Sequence, residues 1–154
     1  MKNMNAFKSV YCRTYQFVLN KVLMPFIRFP EPTLIKGAGA LAQAADILKE
    51  KGFRKPLLVA DPILEKLGKI HPLFDRLQQN NLNYVTYYGV EPNPTFDSVL
   101  PALELAKLGE VDSIIAIGGG STLDVAKIIG ACLANKTADI ASFRGLFKVR
   151  KKFP

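Results

Sequence analysis

Apolar positions along this chain fall into two kinds of run that alternate. Over residues 40–51 they recur at Leu41, Ala44, Ala45 and Leu48, the spacing of one helix face, and Gly52 stands where such a helix would end. Pro56 to Ala60 is instead apolar throughout and stops at Asp61, which predicts a buried strand. The alternation continues with short helices over residues 63–67 and 72–80 and a β-branched and aromatic strand over 83–88. A helix over 95–108 closed by Gly109, a second wholly apolar strand over 113–117 and a helix running to about Leu133 complete it. Residues 33–36 are expected to add a short strand before the first helix. Pro25, Pro30 and Pro32 disfavour helix in their predecessors and mark the start of the regular region.

Strands that are apolar at every position are covered on both faces, the mark of a parallel sheet between helix layers. Strand and helix in alternation point the same way. The predicted fold class is therefore α/β, an open parallel Rossmann-like sheet flanked by helices, with ligands expected beyond the carboxyl ends of its strands.

A length of 154 residues suits one domain, and 49% hydrophobic with 22% charged residues excludes a disordered chain. The formal charge of +8 raises the question of nucleic acid, which its distribution answers. Five of the 21 basic side chains lie in residues 1–30 and five in 144–154, neither segment holding an acid; the other 11 face all 13 acids. This predicts a basic, partly amphipathic extension over 1–30, a near-neutral α/β domain over 31–143 and a basic tail over 144–154, with no nucleic-acid partner. Lys8, Arg13, Lys21 and Arg28 interrupt the apolar stretch 7–29, so it is expected neither to insert stably in a membrane nor to serve as a secretory leader. Docking on the protein's own fold or on an oligomer partner is the expectation for it. Cys12 and Cys132 fit no metal spacing and are expected to be reduced thiols of a cytoplasmic protein, with Cys132 on an apolar helix face.

The strongest chemical signal is IIAIGGGSTLDVAK, residues 114–127, where a buried strand passes through Gly118, Gly119 and Gly120 into a helix. Glycines let backbone approach a phosphate, and the free N–H groups and positive end of the helix attract it. Ser121 and Asp124 can also be read as an N-cap and its capping-box partner, which would account for both side chains without a ligand. That reading leaves three consecutive glycines unexplained. A second glycine pattern, Gly37-Ala-Gly39-Ala-Leu-Ala42, satisfies a dinucleotide fingerprint but suits a tight turn before a helix equally well.

Asp61 closes a strand where a carboxylate can accept from a ribose diol and repel a 2′-phosphate; it can also simply start the Asp-Pro turn. Asn93 sits between Pro92 and Pro94 in a rigid turn at another strand end. The single histidine, His71, precedes a proline in an expected surface loop, so at most one imidazole is available to a metal.

Gly118 to Lys127, preceded by Pro92-Asn-Pro-Thr95 and by Leu57 to Asp61, resembles the iron-containing alcohol dehydrogenase family from about residue 32 to 143. The resemblance implies that the triple glycine, not the Gly37 to Gly39 turn, holds a pyrophosphate. It implies Asp61 on the adenosine ribose and Asn93 beside the cofactor. Gly119, Gly120 and Ser121, reached through Gly118, would lie on the pyrophosphate, Asp124 near the nicotinamide, and Lys127 on the same helix in a role equally well structural. The implied cofactor is NAD, and the implied reaction is hydride transfer between an alcohol and an aldehyde or ketone in a homo-oligomer. The family also has a Thr-Thr loop and an all-helical domain whose aspartate and three histidines bind divalent iron or zinc. This sequence is expected to lack both, and so to be inactive alone. Two other readings stand beside this one: a nucleotide-binding module without chemistry, and a basic adaptor for nucleic acid or anionic membrane, whose binding would weaken steeply with salt.

Overall fold

The computed structural model describes Thr14, Phe17 and residues 34–137, 139–143 and 149. Contacts divide the chain into two units, Met1–Ile35 and Lys36–Pro154. In the first, Thr14 and Phe17 are helical and exposed, and Leu34 and Ile35 belong to no strand. The strand expected over 33–36 is therefore absent at its described positions: among the described residues, the two apolar positions before the Gly37 turn have no neighbouring strand to bond. The expectations for Cys12, for most of the segment 1–30 and for most of the tail 144–154 lie outside the described residues.

The second unit alternates as predicted: α1 (Ala40–Glu50), β1 (Pro56–Ala60), α2 (Pro62–Lys66), α3 (His71–Gln79), β2 (Val85–Tyr87), α4 (Phe96–Leu108), β3 (Ser113–Ile117), α5 (Gly120–Asn135) and a 3-10 turn over Ile140–Phe143. The described strands form one parallel sheet in the order β2-β1-β3, with Leu58 opposite Thr86 on one side and Ile115 on the other. β1 is central, and all five of its residues are buried. Leu57 and Val59 face a core with Leu103 of α4 and Ile129 of α5; Leu58 and Ala60 face a second core with Ala45 of α1 and Leu73 of α3. Cys132 is buried in the first. β3 departs from the expectation of full burial, because only Ser113 is buried and Ile114 to Ile117 are half-buried at the sheet's edge.

Helix ends follow local chemistry. Gly52, with φ of 80°, ends α1 as predicted, its N–H bonding Lys49 O at 3.0 Å while Phe53 N–H bonds Leu48 O at 2.9 Å. After α4 the left-handed residue is Glu110, with φ of 49°, rather than Gly109. Gly109 is small for another reason: a Cβ there would stand 2.9 Å from Val85 Cγ2. His71 opens α3 with Pro72 in its first turn, correcting the loop expectation, because proline needs no N–H donor there. Between α1 and α3, Arg76 Nε lies 2.8 Å from Asp46 Oδ1 and Asn80 Nδ2 2.9 Å from it. The Arg76 bond, then the Asn80 bond, hold the Asp46 carboxyl below its ordinary range.

Candidate functional site

Parallel strands deliver their carboxyl ends to one edge, so the residues following β1, β2 and β3 gather there. The β1 ladder runs one step beyond the strand, Asp61 N–H donating to Ile117 O at 2.9 Å, which sets Asp61 directly beside the start of the Gly118 loop. Asp61 Oδ1 accepts from Ile63 N–H at 2.8 Å, capping α2 with Pro62 in its first turn. The turn-initiating reading of Asp61 is thus present. Its other oxygen, Oδ2, makes no hydrogen bond among the described residues.

After β3 the three exposed glycines serve different ends. Gly118 is required by packing: a Cβ would meet Thr122 Oγ1 and stand 2.9 Å from Thr122 Cβ, and Thr122 is itself buried. Gly119 and Gly120 would carry a Cβ into open space, neither has positive φ, and Gly119 sits at φ −82°, ψ −168°. Nothing inside the fold calls for glycine at these two positions.

α5 begins at Gly120 with Gly119 as its cap and no side-chain acceptor on its first turn. Ser121 is therefore inside the helix, and the capping-box reading of Ser121 and Asp124 is corrected. The cause is that Gly119 O already accepts the first helical bond, from Leu123 N–H at 3.1 Å, leaving the amides of Gly120, Ser121 and Thr122 ahead of it without a helical acceptor. Asp124 instead meets Lys127, Nζ to Oδ1 at 3.2 Å, an exposed pair of little energetic weight.

The β2–α4 loop approaches the same helix. Asn93, in the left-handed region at φ 53°, and Pro94 face Ser121, Asp124, Lys127 and Ile128 across a cleft of about 520 Å³. A second hollow of about 330 Å³, mostly apolar, shares Lys127 and Ile128 and reaches Phe96, Ala131, Ile140 and Phe143. The structure thus brings Asn93, Ser121 and Asp124 into one cleft. Gly118, Gly119 and Gly120 lead into its helix, and Asp61 stands at the adjacent strand end outside the cleft wall. Sequence reasoning missed Ile128 as a wall residue, although Ser121, Asp124 and Ile128 are spaced by three and four and so share a helix face. The Gly37 to Gly39 turn has a local cause, since φ is 111° and 78° at the two glycines and Gly39 caps α1.

For a metal the donors do not fit. Among the described residues no three His, Cys, Asp or Glu side chains stand together, and the cleft's only carboxylate is Asp124.

A parallel α/β sheet with a triple-glycine strand-to-helix turn at its carboxyl edge is the nucleotide-binding class of fold. Residues 31–154 match the model of the iron-containing alcohol dehydrogenases, and the chain belongs to that family. It is similar to alcohol dehydrogenase 4 of Schizosaccharomyces pombe, 39% identical over 129 residues, which are 83% of this chain and 30% of that enzyme. It is also similar to lactaldehyde reductase of Escherichia coli K12, 36% identical over 75% of this chain and 30% of that enzyme. Among solved structures, the NADH-dependent butanol dehydrogenase A of Thermotoga maritima superposes with a TM-score of 0.74 at 30% identity, covering 83% of this chain and 33% of that one. The chain spans about a third of the length of these relatives.

Proposed function

We propose that residues 31–143 form the NAD-binding portion of an alcohol dehydrogenase, with the cofactor's pyrophosphate seated on Gly119, Gly120 and Ser121. The observation that carries this is the pair of glycines the fold does not need: Gly119 and Gly120 face open space at ordinary backbone angles at a helix start with no side-chain cap. Absent side chains keep that space clear, and the amides of Gly120 and Ser121 offer donors to an anion aided by the helix dipole. Asp61 Oδ2 is available to a ribose hydroxyl while Oδ1 stays on Ile63 N–H. Asn93 and Asp124 flank the cleft in which the nicotinamide end would lie, Asn93 as donor and acceptor, Asp124 as acceptor.

When bound, the nicotinamide supplies the hydride chemistry. What this chain's residues do is bind and orient. The family's metal has no ligand set among the described residues. Taken alone, the 154-residue chain is read as binding NAD without oxidising alcohols. Reaction of the parent enzyme with an alcohol or aldehyde, its assembly as a homo-oligomer and a cytoplasmic location belong to the same reading.

Calorimetric titration with NAD, beside an absorbance assay for NADH with iron or zinc and a panel of alcohols, tests it. Saturable NAD binding without turnover is expected. No binding at millimolar NAD would make the glycine loop a structural turn, and metal-dependent turnover would overturn the binding-only reading of this chain.

A further inference from the structure

Asn93 reaches the cleft from a loop with no regular structure of its own, between the end of β2 and Thr95, the cap of α4. Two prolines and a left-handed Asn93 shape the loop tip, but they do not fix where the loop stands against the sheet. That task falls to Tyr87, the last residue of β2. Its Oη lies 2.9 Å from the carbonyl oxygen of Gly89, where the loop departs, and 3.2 Å from that of Ser98, in the first turn of α4. One phenolic proton, shared between two carbonyls, therefore ties together both ends of the segment that carries Asn93. The ring makes a second tie: a Cβ on Gly89 would stand 2.8 Å from Tyr87 Cζ and 2.7 Å from Oη, so the loop backbone passes over the ring at a distance only glycine permits.

We propose that Tyr87 is a positioning residue for the dinucleotide cleft, its hydroxyl clamping the β2–α4 loop so that Asn93 is held opposite Ser121 and Asp124. This rests on the NAD-binding reading above. Tyr87 is not among the residues that line the cleft, and it acts through Asn93. Burial, and then the nearby Glu91 carboxylate, push its phenol above the ordinary range, so the hydroxyl stays a donor at neutral pH.

The test is a double-mutant cycle on the full chain, with Tyr87→Phe and Asn93→Ala alone and combined, read by calorimetric NAD affinity and by thermal unfolding. Phenylalanine keeps the ring beneath Gly89, so the chain should still fold, its unfolding midpoint lowered by no more than the loss of one hydrogen bond gives. NAD affinity should fall by on the order of three- to tenfold, as loss of one hydrogen bond's restraint would give. With Asn93 already replaced, the same change should have almost no further effect. Unchanged affinity in Tyr87→Phe, or an equal loss whether or not Asn93 is present, would overturn the positioning role and leave the NAD reading intact. Failure of the wild type itself to bind NAD would instead sink that reading, and the positioning role with it.

Discussion

At Asp61 the cap of α2 and the proposed ribose contact would fall on the two oxygens of one carboxylate. Oδ1 caps α2 through Ile63 N–H at 2.8 Å, and on the proposed reading Oδ2 accepts from a ribose hydroxyl. Removing the side chain would disturb both, so the informative change is Asp61→Ser, which retains a capping oxygen and discards the charge. Thermal unfolding should barely move. Preference for NAD over NADP should narrow by on the order of tenfold, because the charge that repels a 2′-phosphate and accepts from the diol is gone. Equal affinity of the wild type for both cofactors, measured by titration, would remove Asp61 from the ribose site. The carboxylate's ligand reading and its turn reading were both legible from Asp-Pro at a strand end. That one oxygen can cap α2 while the other stays open to the proposed ribose contact was not, since it depends on where each oxygen points. The same limit separates Gly118 from Gly119 and Gly120. In the sequence they are one motif, and only packing against Thr122 distinguishes the glycine the fold requires from the two it does not.

Among the elements, β1 and β3 are locked at the end remote from the site. Asp112 Oδ2 accepts from Arg54 N–H at 2.6 Å and both its oxygens lie 3.1 Å from Lys55 N, while Asp112 N–H donates to Lys55 O at 3.1 Å. Ser113 Oγ, on a buried residue, adds a bond to Oδ1 at 2.9 Å. Asp112→Ala should cost about 1–3 kcal/mol, the usual range for leaving such donors unmet, seen as a lower denaturant midpoint with little change in slope. A loss under a few tenths of a kcal/mol would mean that water replaces the carboxylate. The helices and the strands Pro56–Ala60 and Ser113–Ile117 were legible because periodicity and apolar runs report burial directly. The strand expected over 33–36 was not present at its described positions, since two apolar residues beside Gly37 specify no pairing partner. Ser121 looked like a cap by residue type, but glycine at 119 took that position and moved the serine into the first turn.

For the whole molecule, size and surface argue together. The chain spans about a third of its relatives' length, and within the second unit Leu108 is 85% exposed and Ile63 and Leu67 are 62% and 64% exposed. If Ile63 and Leu67, four residues apart at α2, form part of a contiguous apolar patch, association is favoured, and sedimentation velocity should show species larger than a monomer. A clean monomer at high concentration would indicate that these side chains cover no partner. No helix among the described residues is long and apolar enough to cross a membrane.

If the open space at Gly119 belongs to a pyrophosphate, calorimetric NAD titration of the wild type against Gly119→Ala, with thermal unfolding of each, will separate binding from folding. Position 119 has room for a methyl group and an ordinary φ of −82°, so the variant should be at least as stable as the wild type, glycine replacement at a compatible site adding about 0.4–1 kcal/mol. Its NAD affinity should nevertheless fall by on the order of tenfold or more, because the methyl group occupies the path by which the anion reaches the helix amides. A stable Gly119→Ala chain that binds NAD as tightly as the wild type would mean that no pyrophosphate lies at Gly119.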